Sequence, residues 1–141
     1  MSSTAARSSD SYKPMAVSRN VPAHLLILGT VLFTVYGQLV MKWQVGRIGP
    51  VTLTSSGAVR FLVAVLSNPW IVSGLASAFL AFFCWAGAVS KLPLSYAYPF
   101  TSLSFVLVVF LSAALFGEAL TAPRVIGLAL VLLGLFVGSR T

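Results

Sequence analysis

Between residues 22 and 140 the chain has a single acidic side chain, Glu118, standing between apolar runs rather than inside one. Lys42, Arg47, Arg60, Lys91 and Arg124 lie at or near the ends of such runs. Proton- or sodium-coupled exchange on a buried carboxylate needs an Asp or Glu within a span, where ionisable groups mark transport pathways. Cations at a lipid–water boundary suit an anionic headgroup instead, because Lys and Arg pair with phosphate through charge-assisted hydrogen bonds. One His, one Cys and two acids in 141 residues supply no Ser–His–Asp set, metal cluster or carboxylate pair. No enzymatic activity, metal or cofactor is expected.

The individual candidates have competing readings. Lys42 can meet a lipid phosphate as a point charge, or end a helix and snorkel to water. Arg60 and Arg47 share that ambiguity. Gln38 can hydrogen-bond a polar ligand or a facing helix, and Thr34 lies on the same stripe. Tyr98 and Pro99 can shape a cavity through a phenol hydroxyl and a kink, or serve as an interfacial tyrosine and a tolerated kink. Glu118 can pair with a cationic group on a ligand, or sit beside a helix N-terminus with Arg124 near it. His24 is read as a snorkelling interfacial residue, Cys84 as a small buried hydrophobe, and Trp43, Trp70 and Trp85 as interface anchors. Thr101, Ser104 and Ser112 share a helical face and read as packing positions.

The elements that must hold these residues are membrane helices. With 58% hydrophobic and 8% charged residues and a mean hydropathy of +0.98, a soluble core is excluded, since a soluble surface must be covered with polar groups. The net charge of +7 is dispersed around apolar runs rather than gathered into a stripe, which argues against a nucleic-acid partner. The pattern predicts an all-α membrane protein with four transmembrane helices and a short interfacial helix. Residues 1–21 form a polar, disordered tail and 22–141 the membrane domain, with spans at about 23–42, 69–89, 94–116 and 122–138. Thr30, Thr34, Gly37, Gln38 and Met41 draw one polar stripe along the first span, and such a stripe faces protein or a water-filled cavity. Residues 57–67 are too short to cross and read as a helix along the headgroups, with one long second span as the alternative. Pro99 removes a donor and frees the Ser95 carbonyl. Gly127, Gly134 and Gly138 give the last span a groove for close helix contact. Both termini then share one side, and cations divide five against four between sides, too even to fix orientation.

Two strings are diagnostic together: Gly37-Gln38-Leu39-Val40-Met41-Lys42, and Ala97-Tyr98-Pro99 followed by Ser102-Leu103-Ser104-Phe105-Val106. With the turn from Glu118 to Arg124 and the glycine-rich last span, they resemble the four-helix, small multidrug resistance-like form of the drug/metabolite transporter superfamily. The closest likeness is to subunits of 4-amino-4-deoxy-arabinose–undecaprenyl-phosphate flippases, over about residues 24–140. Small multidrug resistance members have a first-span glutamate three residues before the glycine matching Gly37; here that position is Thr34. The resemblance implies a multi-pass protein of the bacterial inner membrane that moves a polyprenyl-phosphate-linked sugar between leaflets. Its partners would be membrane lipids, that substrate, and a second four-helix subunit in a homodimer or heterodimer. Two alternatives stay open: a small multidrug resistance-like exporter, and a non-transporting membrane subunit of a glycosyltransferase complex.

Overall fold

The computed structural model describes residues 21–50 and 52–140; the expected polar tail lies outside them, apart from Val21. Among the described residues all regular structure is helical: α1 (Val21–Ile48), α2 (Ser55–Ser67), α3 (Pro69–Val89), α4 (Leu94–Thr101), α5 (Leu103–Phe116) and α6 (Ala122–Arg140). Four helical stretches are long and apolar enough to cross a membrane: Pro22–Ile48, Pro69–Val89, Leu94–Phe116 and Ala122–Arg140.

The first helix is longer than its apolar pattern implies. Residues 46–56 read as a polar, glycine- and proline-containing connection, yet α1 runs through Gly46 to Ile48, and the chain turns at Gly49, whose φ of 90° suits a residue without Cβ. At 1.5 Å per residue its 28 residues extend about 42 Å, beyond the ~30 Å hydrocarbon core. Lys42 is therefore more than a turn short of the helix end, with a side for other helices to meet.

Asn68 ends the alternative of one long second span. Its extended backbone (φ −88°, ψ 115°) separates α2 from α3, as the proline that follows requires. Its carboxamide oxygen accepts from the Trp70 and Ile71 N–H groups at 2.9 and 3.4 Å, and its amide donates to Gln44 Oε1 of α1 at 3.1 Å. One side chain thus caps α3 and ties it to α1. Helix α2, capped by Thr54, has no buried residue and exposes Val59, Leu62, Val63 and Leu66, which fits a helix lying along the interface.

Packing is densest between α1 and α3. Gly37 and Gly74 make the approach possible, since a Cβ on Gly37 would stand 3.0 Å from the Gly74 carbonyl oxygen. The Ser77 hydroxyl donates across the same contact to the Phe33 carbonyl at 2.6 Å. Close glycine packing within this chain is here, not on the last helix. A methyl group on Gly127, Gly134 or Gly138 would meet nothing within 4 Å, and α6, which meets α4, buries no residue.

The third span is irregular at Ser102, three residues after Pro99, where the backbone stays in the right-handed helical region (φ −62°, ψ −19°) and the Ser102 N–H still donates to Tyr98 O at 2.9 Å. Hydroxyls serve carbonyls around this point: Thr101 donates to Tyr98 O at 3.0 Å, Ser102 to Pro99 O at 2.5 Å and Ser104 to Thr101 O at 2.7 Å. Local side-chain donors are how irregular backbone is tolerated at membrane depth.

Candidate functional site

The side of Lys42 that faces α5 meets Ser112, and the Lys42 ammonium donates to the Ser112 hydroxyl at 2.6 Å. Five residues on, Gly117 ends α5 in a left-handed conformation (φ 66°). This turn carries Glu118 back over the helix it has just left. One carboxylate oxygen pairs with Lys42; the other accepts from Ser112 at 2.8 Å and from Arg124 Nη1 at 3.4 Å. The Lys42 ammonium also stands 5.1 Å from the centre of the Phe116 ring, a favourable cation–π position. Donors from α1, α5 and α6 thus converge on one oxyanion.

The cluster is polar, partly open and net positive. Side-chain exposure is 40% for Lys42, 32% for Glu118 and 48% for Arg124. Two cations against one carboxylate leave one positive charge in excess. The Lys42 hydrogen bond, then that from Ser112, hold the Glu118 carboxyl below its ordinary value of 4.5, with the charges of Lys42 and Arg124 adding to the effect. The carboxylate is ionised at neutral pH.

The remaining candidates divide into groups. Thr34 and Gln38 recur every four residues toward Lys42 and line a groove of about 410 Å³ between α1 and α3, with Gly37, Met41, Gly74 and Ala78. A second groove of about 470 Å³ on the other flank is apolar apart from Tyr36, Ser73 and Ser77, the Tyr36 and Ser73 hydroxyls lying 3.1 Å apart. Arg60 lines a different pocket, of about 250 Å³, with Ile48, Pro50, Thr52 and Phe61. The Arg47 guanidinium covers the Trp43 ring at 4.7 Å. Tyr98 and Pro99 belong to the other half of the third span: Tyr98 precedes Ser112 by fourteen residues, about 21 Å of helix, and its ring meets Trp85. Lys42, Glu118 and Arg124 come together; Tyr98, Pro99 and Arg60 do not join them.

Some readings change. His24 is half-buried against the third span, its Nε2 lying 3.2 Å from the Tyr96 hydroxyl and its ring edge-on to Tyr96 and Phe100. The rings of Trp43 and Trp70 meet edge-on and both stay exposed, a contact compatible with interface anchors. Ser112 is buried at 4% exposure, yet it also bridges Lys42 and Glu118, which its packing face alone did not reveal. Its spacing of six residues from Glu118, across a glycine turn, is the available signal. Gln44, buried at 4% and bonded to Asn68, went unnoticed because nothing local distinguishes it.

The model of the EamA-like transporter family matches residues 21–140. The chain is 36% identical over 118 residues to a probable 4-amino-4-deoxy-L-arabinose-phosphoundecaprenol flippase subunit ArnF of Pseudomonas paraeruginosa, covering 82% of this chain and 83% of that protein. It is 33% identical over 118 residues to the protein of the same name in Photorhabdus laumondii (79% and 91% of the two chains). With that of Aeromonas salmonicida it shares 30% identity over 116 residues (81% and 76%). No solved structure matches. With four apolar helices of spanning length and a family match from the first described residue to the last, the chain is a multi-pass membrane protein of the EamA-like transporter family.

Proposed function

We propose that this protein is a subunit of a bacterial inner-membrane flippase that moves a polyprenyl-phosphate-linked sugar, aminoarabinose-like in its headgroup, between leaflets. Similarity to ArnF proteins over most of both chains supports the substrate class. The observation that carries the reading is the set of donors from three elements around one oxyanion, formed by Lys42, Ser112 and Arg124 near one end of the spans. In this reading the cations hold the phosphate at headgroup level, where the dielectric is lower than in water and a cation–phosphate contact correspondingly stronger. Thr34 and Gln38, on the same stripe of α1, offer hydrogen bonds to the sugar in the adjoining groove. The polyprenyl tail stays in lipid. The only acidic side chain of the membrane region lies in a turn outside the helices, which supports facilitated exchange driven by synthesis on one side and consumption on the other.

The working unit is a dimer, either of two copies or with a related four-helix subunit. The absence of a buried residue along α6 supports this, as do the subunit names of the relatives. Mass spectrometry of lipid that co-purifies in mild detergent tests the reading. A polyprenyl-phosphate sugar is the expected species; bulk phospholipid alone would contradict it.

A further inference from the structure

We propose that Glu118 is an internal counter-ion that occupies the phosphate position while the site is empty, yields it to the lipid headgroup, and returns to help release it. The inference rests on the reading that the Lys42 end holds the phosphate, and it assigns Glu118 a task distinct from binding the sugar.

The carboxylate already makes the contacts a phosphate oxygen would seek. The Lys42 ammonium takes one oxygen, and the other accepts from the Ser112 hydroxyl at 2.8 Å and the Arg124 guanidinium at 3.4 Å. Carboxylate and phosphate oxygens draw on the same charged donors, so both cannot hold these three groups in the same way at once. Lys42 and Arg124 are therefore not standing free for an incoming anion.

Two features make the carboxylate replaceable. Its side chain is about one-third exposed, and an ion pair so placed is weak because water competes for both partners. Glu118 also stands in the turn between α5 and α6, next to Gly117 at φ 66°. Its departure requires rotation within a turn, not the breaking of a helix. A carboxylate in the middle of either helix would lack that freedom.

Competition of this kind solves a problem of release. Lys42 and Arg124 without a counter-ion would hold a phosphate well and release it slowly, whereas transport needs a site strong enough to load and weak enough to empty. A tethered carboxylate lowers the affinity and is at hand to re-form the pair as the headgroup leaves. The same logic distinguishes Glu118 from a structural salt-bridge residue, whose loss should weaken binding and transport together.

The test uses the full chain in nanodiscs titrated with undecaprenyl phosphate, beside translocation of a labelled polyprenyl-phosphate sugar in liposomes. Glu118→Gln should bind the lipid on the order of threefold to tenfold more tightly, the release of a partly exposed pair shared by two cations, and should translocate more slowly. Glu118→Asp, which keeps the charge, should move both readouts back toward the parent. Equal or weaker lipid binding by Glu118→Gln overturns the proposal, as does tighter binding with translocation undiminished. Lys42→Ala separates the two levels of the argument. If it weakens lipid binding while Glu118→Gln leaves binding unchanged, the counter-ion role fails and the anion site stands. If Lys42→Ala binds like the parent, the anion site itself is wrong and the proposal goes with it.

Discussion

The first helix meets the third span through side-chain polar contacts near both ends, and the two differ in chemistry. At one end the Lys42 ammonium reaches Ser112 of α5 and Glu118 beyond it, with Arg124 on the same carboxylate. At the other, His24 meets the Tyr96 hydroxyl and lies edge-on to two rings of α4. The first set is charged and partly open. The second adjoins a cluster of Ala23, Ile27, Ala88, Leu92 and Ala97 that is buried to 7% exposure or less. A charged set that is partly open can exchange one anion for another at modest cost, whereas a ring contact over a packed cluster holds two helices together and offers a ligand little. In the proposed reading the charged end takes the substrate's anion and the aromatic end acts as a clamp.

The largest expected effect comes from removing the charge. Lys42→Ala should weaken binding of a polyprenyl-phosphate lipid about tenfold or more, since a hydrogen bond to a charged group contributes ~1.5–3 kcal/mol. Thr34→Ala, which removes one neutral hydroxyl, should change it several-fold less. Titration in nanodiscs measures both. If the two variants bind like the parent, the phosphate is held elsewhere, and Arg60 in its separate pocket is the next residue to replace.

A smaller effect belongs to the clamp. His24→Ala should cost about 1–2 kcal/mol of stability, from one partly buried hydrogen bond and the edge-on ring contacts. Thermal unfolding in detergent reads this loss. Translocation per folded molecule should stay near the parent's; a variant that is stable yet inactive would place the aromatic end in the substrate path and break the comparison.

The smallest effect is that of neutral pH. Lys42 and Ser112 hold the Glu118 carboxyl below its ordinary value of 4.5. A depressed carboxyl pKa means that the pairing contributes fully above the ordinary value and is lost as pH falls through the lowered one. Binding and flipping of the sugar-linked phosphodiester, whose single charge does not titrate in that range, should therefore be flat between about pH 6 and 8, should persist when a proton gradient is collapsed, and should change only on strong acidification. Uptake that follows an imposed proton gradient would replace the uncoupled mechanism with a coupled one.

Much of the layout was legible because membrane helices announce themselves by length and hydropathy. Asn68-Pro69 marked the start of α3, since the residue before a proline avoids helical geometry; α2 followed as an apolar segment too short to cross. The helix end beyond the apolar part of α1 is less legible. A single glycine costs a helix only about 1 kcal/mol relative to Ala, so Gly46 could be carried through to Ile48. At the site, the turn around Glu118 and its neighbour Arg124 could be read locally. The link from Lys42 to Glu118 could not, because 76 residues separate them and only the packing of α1 on α5 brings them together. Gly37 and Gly74 show the same limit: Gly37 stands out in its motif and Gly74 does not, and their joint role appears only where two helices cross.

The most direct measurement is translocation of a labelled undecaprenyl-phosphate aminoarabinose between the leaflets of liposomes that hold the purified protein, with a related four-helix subunit added where one is required. The account predicts that the parent speeds movement well above protein-free liposomes and that Lys42→Ala, incorporated at equal density, loses most of that gain. Equal movement with and without protein would contradict the flippase reading, and full activity in Lys42→Ala would contradict the assignment of the charged end as its phosphate site.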